Sequence, residues 1–220
     1  MQAEYWLQRW REGRIGWHRE GVMPLLEAHW SALALPRGTR VLVPLAGKST
    51  DMAWLAARGY RVLGVELSPL AIAQFFAEHG LEPSRRESPA GTHFIAGDIE
   101  VILGDVFALD AGLLAGCMGV YDRAAVIALP ASQRQRYADT VYAKLPAGCR
   151  GLMITLEYPP DEMDGPPFAV DRQEVDALFG ARWDVASLER RDILHVQPDF
   201  VASGVTRLET AVYALRRRSD

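Results

Sequence analysis

A carboxylate at the tip of one apolar run, 21 residues after a loop that carries a single glycine, is the pattern with the most chemistry in this chain. The loop is Val43-Pro44-Leu45-Ala46-Gly47-Lys48, and the acid is Glu66, closing Val62-Leu63-Gly64-Val65-Glu66. Such a pair arises where a buried strand runs into a helix and the next parallel strand ends beside it. A carboxylate at that second strand end can accept hydrogen bonds from both hydroxyls of a ribose, and loop and acid are then about 20 residues apart. The spacing therefore predicts a site for an adenosine-containing ligand.

Which ligand depends on the loop. Gly47-Lys48-Ser49 has the ending of a triphosphate-binding loop, but that motif needs a glycine five positions before Gly47, where Leu42 stands. A dinucleotide fingerprint needs three spaced glycines, and this loop has one. S-adenosyl-L-methionine needs no phosphate cradle: its amino-acid tail takes backbone groups and its sulfonium an electron-rich wall. These residues favour that cofactor. An NAD-dependent oxidoreductase and a non-catalytic adenosine-binding module stand as alternatives.

Composition narrows the partners. The 220 residues suffice for one well-cored α/β domain, and 49% hydrophobic with 24% charged residues is the make-up of a soluble globular protein. A formal charge of -4 argues against nucleic acid, which demands a basic surface. The run Arg216-Arg217-Arg218 reads as a solvated tail. No apolar stretch approaches the roughly 18–20 residues of a membrane span, and no signal-type apolar core opens the sequence. Two cysteines make no disulfide framework, and the scattered histidines offer no metal-binding spacing. The expected setting is the cytoplasm, with a small molecule as partner and no metal.

The elements that must carry the site follow from periodicity and caps. A helix over 3–12 holds Trp6 and Trp10 on one face, and Pro24 opens a second over 24–35. Strand 40–44 feeds the glycine loop and helix 51–58; strand 61–67 feeds Ser68-Pro69, an N-cap and first-turn proline, and a helix to Gly80. The polar stretch 82–92 reads as loop. Residues 93–96 and 99–103 read as paired strands joined at Gly97-Asp98, followed by strand 118–122, helix 130–145 and strand 150–156. Asp171 and Glu174 have capping-box spacing. Stretches 183–194 and 205–215 then read as two strands with no helix between. The expectation is an α/β Rossmann-like fold: a mixed seven-stranded sheet ending in an antiparallel pair, with helices on both faces. It forms one domain over 1–220, with 1–35 as a helical cap over the active site.

The order Trp6-x-x-x-Trp10, Trp17-His18, Pro44-Leu45-x-Gly47-Lys48, Gly64-Val65-Glu66, Tyr121-Asp122-Arg123 and Gly165-Pro166-Pro167-Phe168 resembles the bacterial thiopurine S-methyltransferases, class I S-adenosylmethionine-dependent enzymes, over nearly the whole chain. The resemblance implies methyl transfer to the sulfur of thiopurines or related aromatic thiols, or to selenium or tellurium species, by a monomer. It implies cofactor contacts from Trp10, Leu45, Glu66 and Arg123, and adenine contacts from Asp105 and Val106. Trp17, Arg123, Tyr158, Pro166 and Pro167 would meet the acceptor. The family's late basic residue has no counterpart, since Gln197-Pro198-Asp199 occupies that stretch. The resemblance assigns no general base; His18 is a candidate proton acceptor, although a histidine beside a tryptophan equally suits a structural role.

Overall fold

Side chains alternate across a strand, so a strand buried on both faces must be apolar at every position. Four central strands come near that condition, with apolar middles and their charged residues mostly towards the ends: β1 (Arg40–Val43), β2 (Arg61–Glu66), β6 (Cys117–Arg123) and β7 (Arg150–Glu157). In the computed structural model, which describes residues 3–219, they are parallel to one another. Residues 1, 2 and 220 of the expected 1–220 unit lie outside the described residues.

The other strands extend this sheet on both sides. β3 (Ser84–Ser88), β4 (Gly91–Ala96) and β5 (Ile99–Leu103) lie on one flank, and β8 (Trp183–Asp192) and β9 (Glu209–Arg217) on the other, in the order β3-β4-β5-β2-β1-β6-β7-β9-β8. Instead of the expected seven strands, the described residues form nine. β4 is antiparallel to β5, and β3 to β4, so both flanks end in antiparallel strands. The stretch read as a loop over 82–92 contains β3, an exposed edge strand of sequence Ser-Arg-Arg-Glu-Ser. Charged residues on an edge discourage pairing with another chain, and they also hide a strand from any apolar pattern.

The described residues form eight α-helices, two before the first strand and six between strands: α1 (Ala3–Arg11), α2 (Pro24–His29), α3 (Thr50–Ala57), α4 (Pro69–Glu78), α5 (Ala111–Leu114), α6 (Ala131–Thr140), α7 (Arg172–Phe179) and the short α8 (Pro198–Ala202). α8 lies between β8 and β9, where no helix was expected. The expected helix 24–35 is α2 continued by a 3-10 turn, Trp30–Leu33. The arginine run is no tail: β9 continues to Arg217, which is buried, and Arg218 donates to the Gly180 carbonyl at 2.6 Å.

Strand alternation sorts the core into two layers. Val41, Val43, Val62, Val101, Tyr121, Leu152 and Ile154 pack with Leu26, Trp30, Met52, Leu55, Ile72 and Phe75, from α2, α3, α4 and the 3-10 turn. Leu42, Leu63, Val65, Ile102, Val120 and Met153 face the opposite way, onto Leu114, Tyr137, Tyr142, Val175 and Phe179. Gly64 is glycine because a methyl group there would meet Met52 Sδ at 2.9 Å.

Capping fixes where helices start at the carboxyl edge of the sheet. Ser49 Oγ accepts from the Asp51 amide (3.3 Å), Ser68 Oγ from Ala71 (3.2 Å), and Asp171 from Glu174 (2.8 Å). β6 is anchored through Asp122, fully buried, which accepts from the Val126 amide (3.0 Å) and the Tyr137 and Tyr142 hydroxyls (2.8 and 2.9 Å). Among the described residues no helix is long and apolar enough to cross a membrane. Taking one phenol from Asp122 leaves a buried carboxyl short of a donor. Tyr142→Phe is expected to lower the unfolding free energy by about 1.5–3 kcal/mol in urea titration; a loss under ~0.5 kcal/mol would show that the phenol does not hold β6.

Candidate active site

Glu66 is almost wholly buried, and its two oxygens are tied to two different loops. Oε2 accepts from the Gly47 amide and Oε1 from the Ser68 amide, both at 2.7 Å. The carboxylate therefore clamps the β1–α3 loop to the β2–α4 turn. A carboxylate offers about four acceptor positions, so these two bonds do not exhaust its capacity to accept from a ligand. The Ala46 amide is also directed at β2, donating to Val65 O at 2.9 Å. Turning the backbone this sharply puts Leu45 at φ 48° and Gly47 at φ 55°. A side chain rarely adopts that region, and such strain persists where surrounding contacts enforce it. Ala124, just past β6, shares it at φ 57°, so the neighbouring strands β1 and β6 both end in strained residues facing one cleft.

The cleft is lined by Val43, Leu45, Gly47, Tyr121 and Arg123 below, and by Trp10, Trp17 and His18 above. Trp10 is buried against the loop: a Cβ on Gly47 would stand 3.3 Å from the indole. Trp17 stands edge-on to both Trp10 and Trp6, with ring centres 5.9 and 5.2 Å away. Arg123 donates to the Trp17 carbonyl at 3.0 Å, joining the end of β6 to the segment above it. These contacts leave a cavity of about 20 Å³, room for roughly one water molecule. A nucleoside cannot enter without displacing the tryptophan segment. In chemistry the residues fit S-adenosylmethionine: spare carboxylate acceptors, indole faces for a cation, and a guanidinium for a carboxylate.

Residues 1–218 match the family profile described as thiopurine S-methyltransferase. The thiopurine S-methyltransferase of Xanthomonas campestris pv. campestris is 61% identical over 99% of this chain and all of its own length. That of Nitrosomonas eutropha is 59% identical over 99% of both chains. The chain belongs to the thiopurine S-methyltransferase family. Among solved structures, the 1,6-didemethyltoxoflavin-N1-methyltransferase of Burkholderia thailandensis, crystallised with S-adenosylhomocysteine, superposes with a TM-score of 0.66. It covers 99% of this chain and 87% of its own at 19% identity, a likeness of fold.

Within this thiopurine S-methyltransferase-family chain, the expected site residues separate into three groups. Trp10, Trp17, Leu45 and Arg123 line one cleft, with Glu66 bonded to its floor. Asp105 and Val106 follow β5, next to the β2 tip, where the Gly104 amide donates to Glu66 O at 3.0 Å. Asp105 is exposed and caps a 3-10 turn through the Phe107 amide (2.9 Å), while Val106 is a core residue. Tyr158 is buried, with its hydroxyl donating to Pro167 O at 2.6 Å, so it supports the Gly165–Phe168 loop. Phe168 in turn donates its amide to Ile127 O (2.7 Å), which sets that loop beside the end of β6. Neither Tyr158 nor Pro166 and Pro167 line the tryptophan cleft.

Sequence reasoning missed Asp51. This buried carboxylate accepts from the Met23 amide at 2.8 Å and the Tyr121 hydroxyl at 2.9 Å, tying the segment before α2 to β6. In sequence it is an ordinary first-turn acid. Burial holds Glu66 above the usual carboxylate range, against the pull of the Ser68, Gly47 and Leu67 amides. The native state thus keeps the Glu66 proton to higher pH than the unfolded chain. Its contribution to stability is whole below the unfolded value near ~4.3 and shrinks as pH rises through the native one. Urea unfolding from about pH 4 upward is expected to show the stability difference between wild type and Glu66→Gln moving against wild type; a pH-independent difference would contradict this.

Proposed function

We propose that this protein transfers a methyl group from S-adenosyl-L-methionine to the sulfur of thiopurines or related heterocyclic thiols. The observation that carries the reading is the Glu66 clamp: a buried strand-end carboxylate on a single-glycine loop, under an indole wall, in a chain of this family. The family and its 55–62% identical relatives named thiopurine S-methyltransferase support the reaction and the cofactor. The NAD-dependent alternative gains no support, since the loop lacks the glycines that let a pyrophosphate approach. A non-catalytic adenosine-binding module gains none either.

In this reading Glu66 takes the ribose hydroxyls with its remaining acceptor capacity. The Leu45 loop receives the amino-acid tail, and Arg123 pairs with its carboxylate or orients the acceptor. Asp105 and Val106 border the adenine, Asp105 as acceptor for its exocyclic amine and Val106 as apolar floor. Trp10 covers the sulfonium, with a cation–π attraction of about 0.5–2 kcal/mol. Trp17 stacks on the acceptor ring, and Pro166 and Pro167 form a flat wall that Tyr158 holds in position. Bound cofactor supplies an already activated methyl group. The protein's own work is alignment at about 3–3.5 Å and exclusion of water by the tryptophans. Residues 1–35 act as a helical cap on a single domain spanning 1–220.

Selenium and tellurium species fit the same alignment as soft nucleophiles. The proposed working unit is a monomer in the cytoplasm, in keeping with two free, buried cysteines. If Glu66 holds the ribose, Glu66→Ala loses two hydrogen bonds of about 0.5–1.5 kcal/mol each and binds S-adenosylhomocysteine roughly tenfold or more weakly in calorimetry. Wild-type affinity in a folded Glu66→Ala protein would overturn the assignment.

A further inference from the structure

We infer that His18 accepts the proton of the acceptor thiol as its sulfur is methylated, an inference that rests on the thiol-methylating reading above. His18 lines the tryptophan cleft together with Trp17, Lys48, Tyr121 and Arg123. Its place is fixed by the backbone: its amide donates to Ile15 O at 2.8 Å, and the preceding Trp17 carbonyl is held by Arg123.

The ring itself is uncommitted. His29 is bonded to Glu189 (2.6 Å), His79 to the Phe75 carbonyl (2.8 Å), and His93 to Ser88 and Glu100 (2.6 and 2.5 Å). Among the described residues nothing hydrogen-bonds the His18 imidazole, although it is partly buried and lines the cleft. The charged groups facing it are Lys48, Glu78, Arg123 and Glu20; burial first, then the Lys48 cation, hold it below the ordinary histidine range. A neutral imidazole at physiological pH accepts a proton.

Other groups at the cleft are engaged or unsuited. Glu66 is bonded to two amides, and Asp51 to Met23 and Tyr121. Lys48 is paired with Glu78 at 2.6 Å, and a guanidinium does not give up its proton. In the step, the acceptor S–H bond breaks and its proton moves to an imidazole nitrogen. The sulfur electron pair forms the new S–CH3 bond as the donor's C–S bond breaks, its electrons returning to the donor sulfur. One positive charge thus passes from sulfonium to imidazolium, which then releases its proton to water.

A base matters only where the thiol is not already ionised. The test compares wild type with His18→Gln and His18→Asn on aromatic thiols that ionise above and below the assay pH. Loss of kcat should be about a hundredfold larger on the un-ionised thiols, within the range for general-base catalysis. The gap should close as pH passes the thiol's own ionisation, with KM little affected. Independently, wild-type kcat on an un-ionised thiol should rise with the His18 ring titration followed by NMR, below the ordinary histidine value. A penalty equal on all thiols, or a rate that ignores that titration, overturns the role of His18 while leaving methyl transfer intact. Wild type inactive on every thiol overturns both.

Discussion

A carboxylate taken out of water and held between two backbone amides organises this site. Desolvating Glu66 is costly, and charge-assisted hydrogen bonds from Gly47 and Ser68 offset that cost only if both loops keep their shape. The Gly47 bond requires the β1–α3 loop to turn through the left-handed region at Leu45 and Gly47. The Ser68 bond sits at the start of α4, where unpaired amides and the helix dipole favour negative charge. One group thereby sets the floor of the cleft, the tip of β2 and the entry to a helix.

Three consecutive residues of β6 do the matching work on the other side. Because side chains alternate, Asp122 points into the layer of α6 while Tyr121 and Arg123 point into the opposite one. Asp122 secures the strand from below through two phenols, Tyr121 reaches Asp51 of α3, and Arg123 holds the carbonyl of Trp17. Asp51 also takes the Met23 amide, so the segment between α1 and α2 is held at its middle by β6 and at its end by α3. These polar bonds position the Trp17 backbone over the cleft, and Trp10 is set by its packing on Gly47.

The central strands were legible because burial on two faces favours apolar runs, and two helix starts because Ser68 and Asp171 are strong caps. β3 was not legible: all but its last residue are exposed, and Arg85, Arg86 and Glu87 satisfy an edge without any alternation. α8 was missed because five residues within a connection carry too little periodicity. At the site, the glycine loop and Glu66 announced themselves by spacing, whereas Asp51 and Ala124 did not. A carboxylate's partner 70 positions away, or an alanine's backbone strain, leaves no trace in residue type. For Tyr158 the sequence offers only an aromatic near a proline pair; that its hydroxyl donates to the Pro167 carbonyl leaves no mark in residue type.

The most direct test is a crystal structure of the full chain with S-adenosylhomocysteine. The account predicts the ribose hydroxyls on Glu66 with the Gly47 and Ser68 bonds retained, and Trp10 and Trp17 shifted from their present positions to enclose the ligand. A ligand bound elsewhere, or a ribose without contact to Glu66, would contradict it.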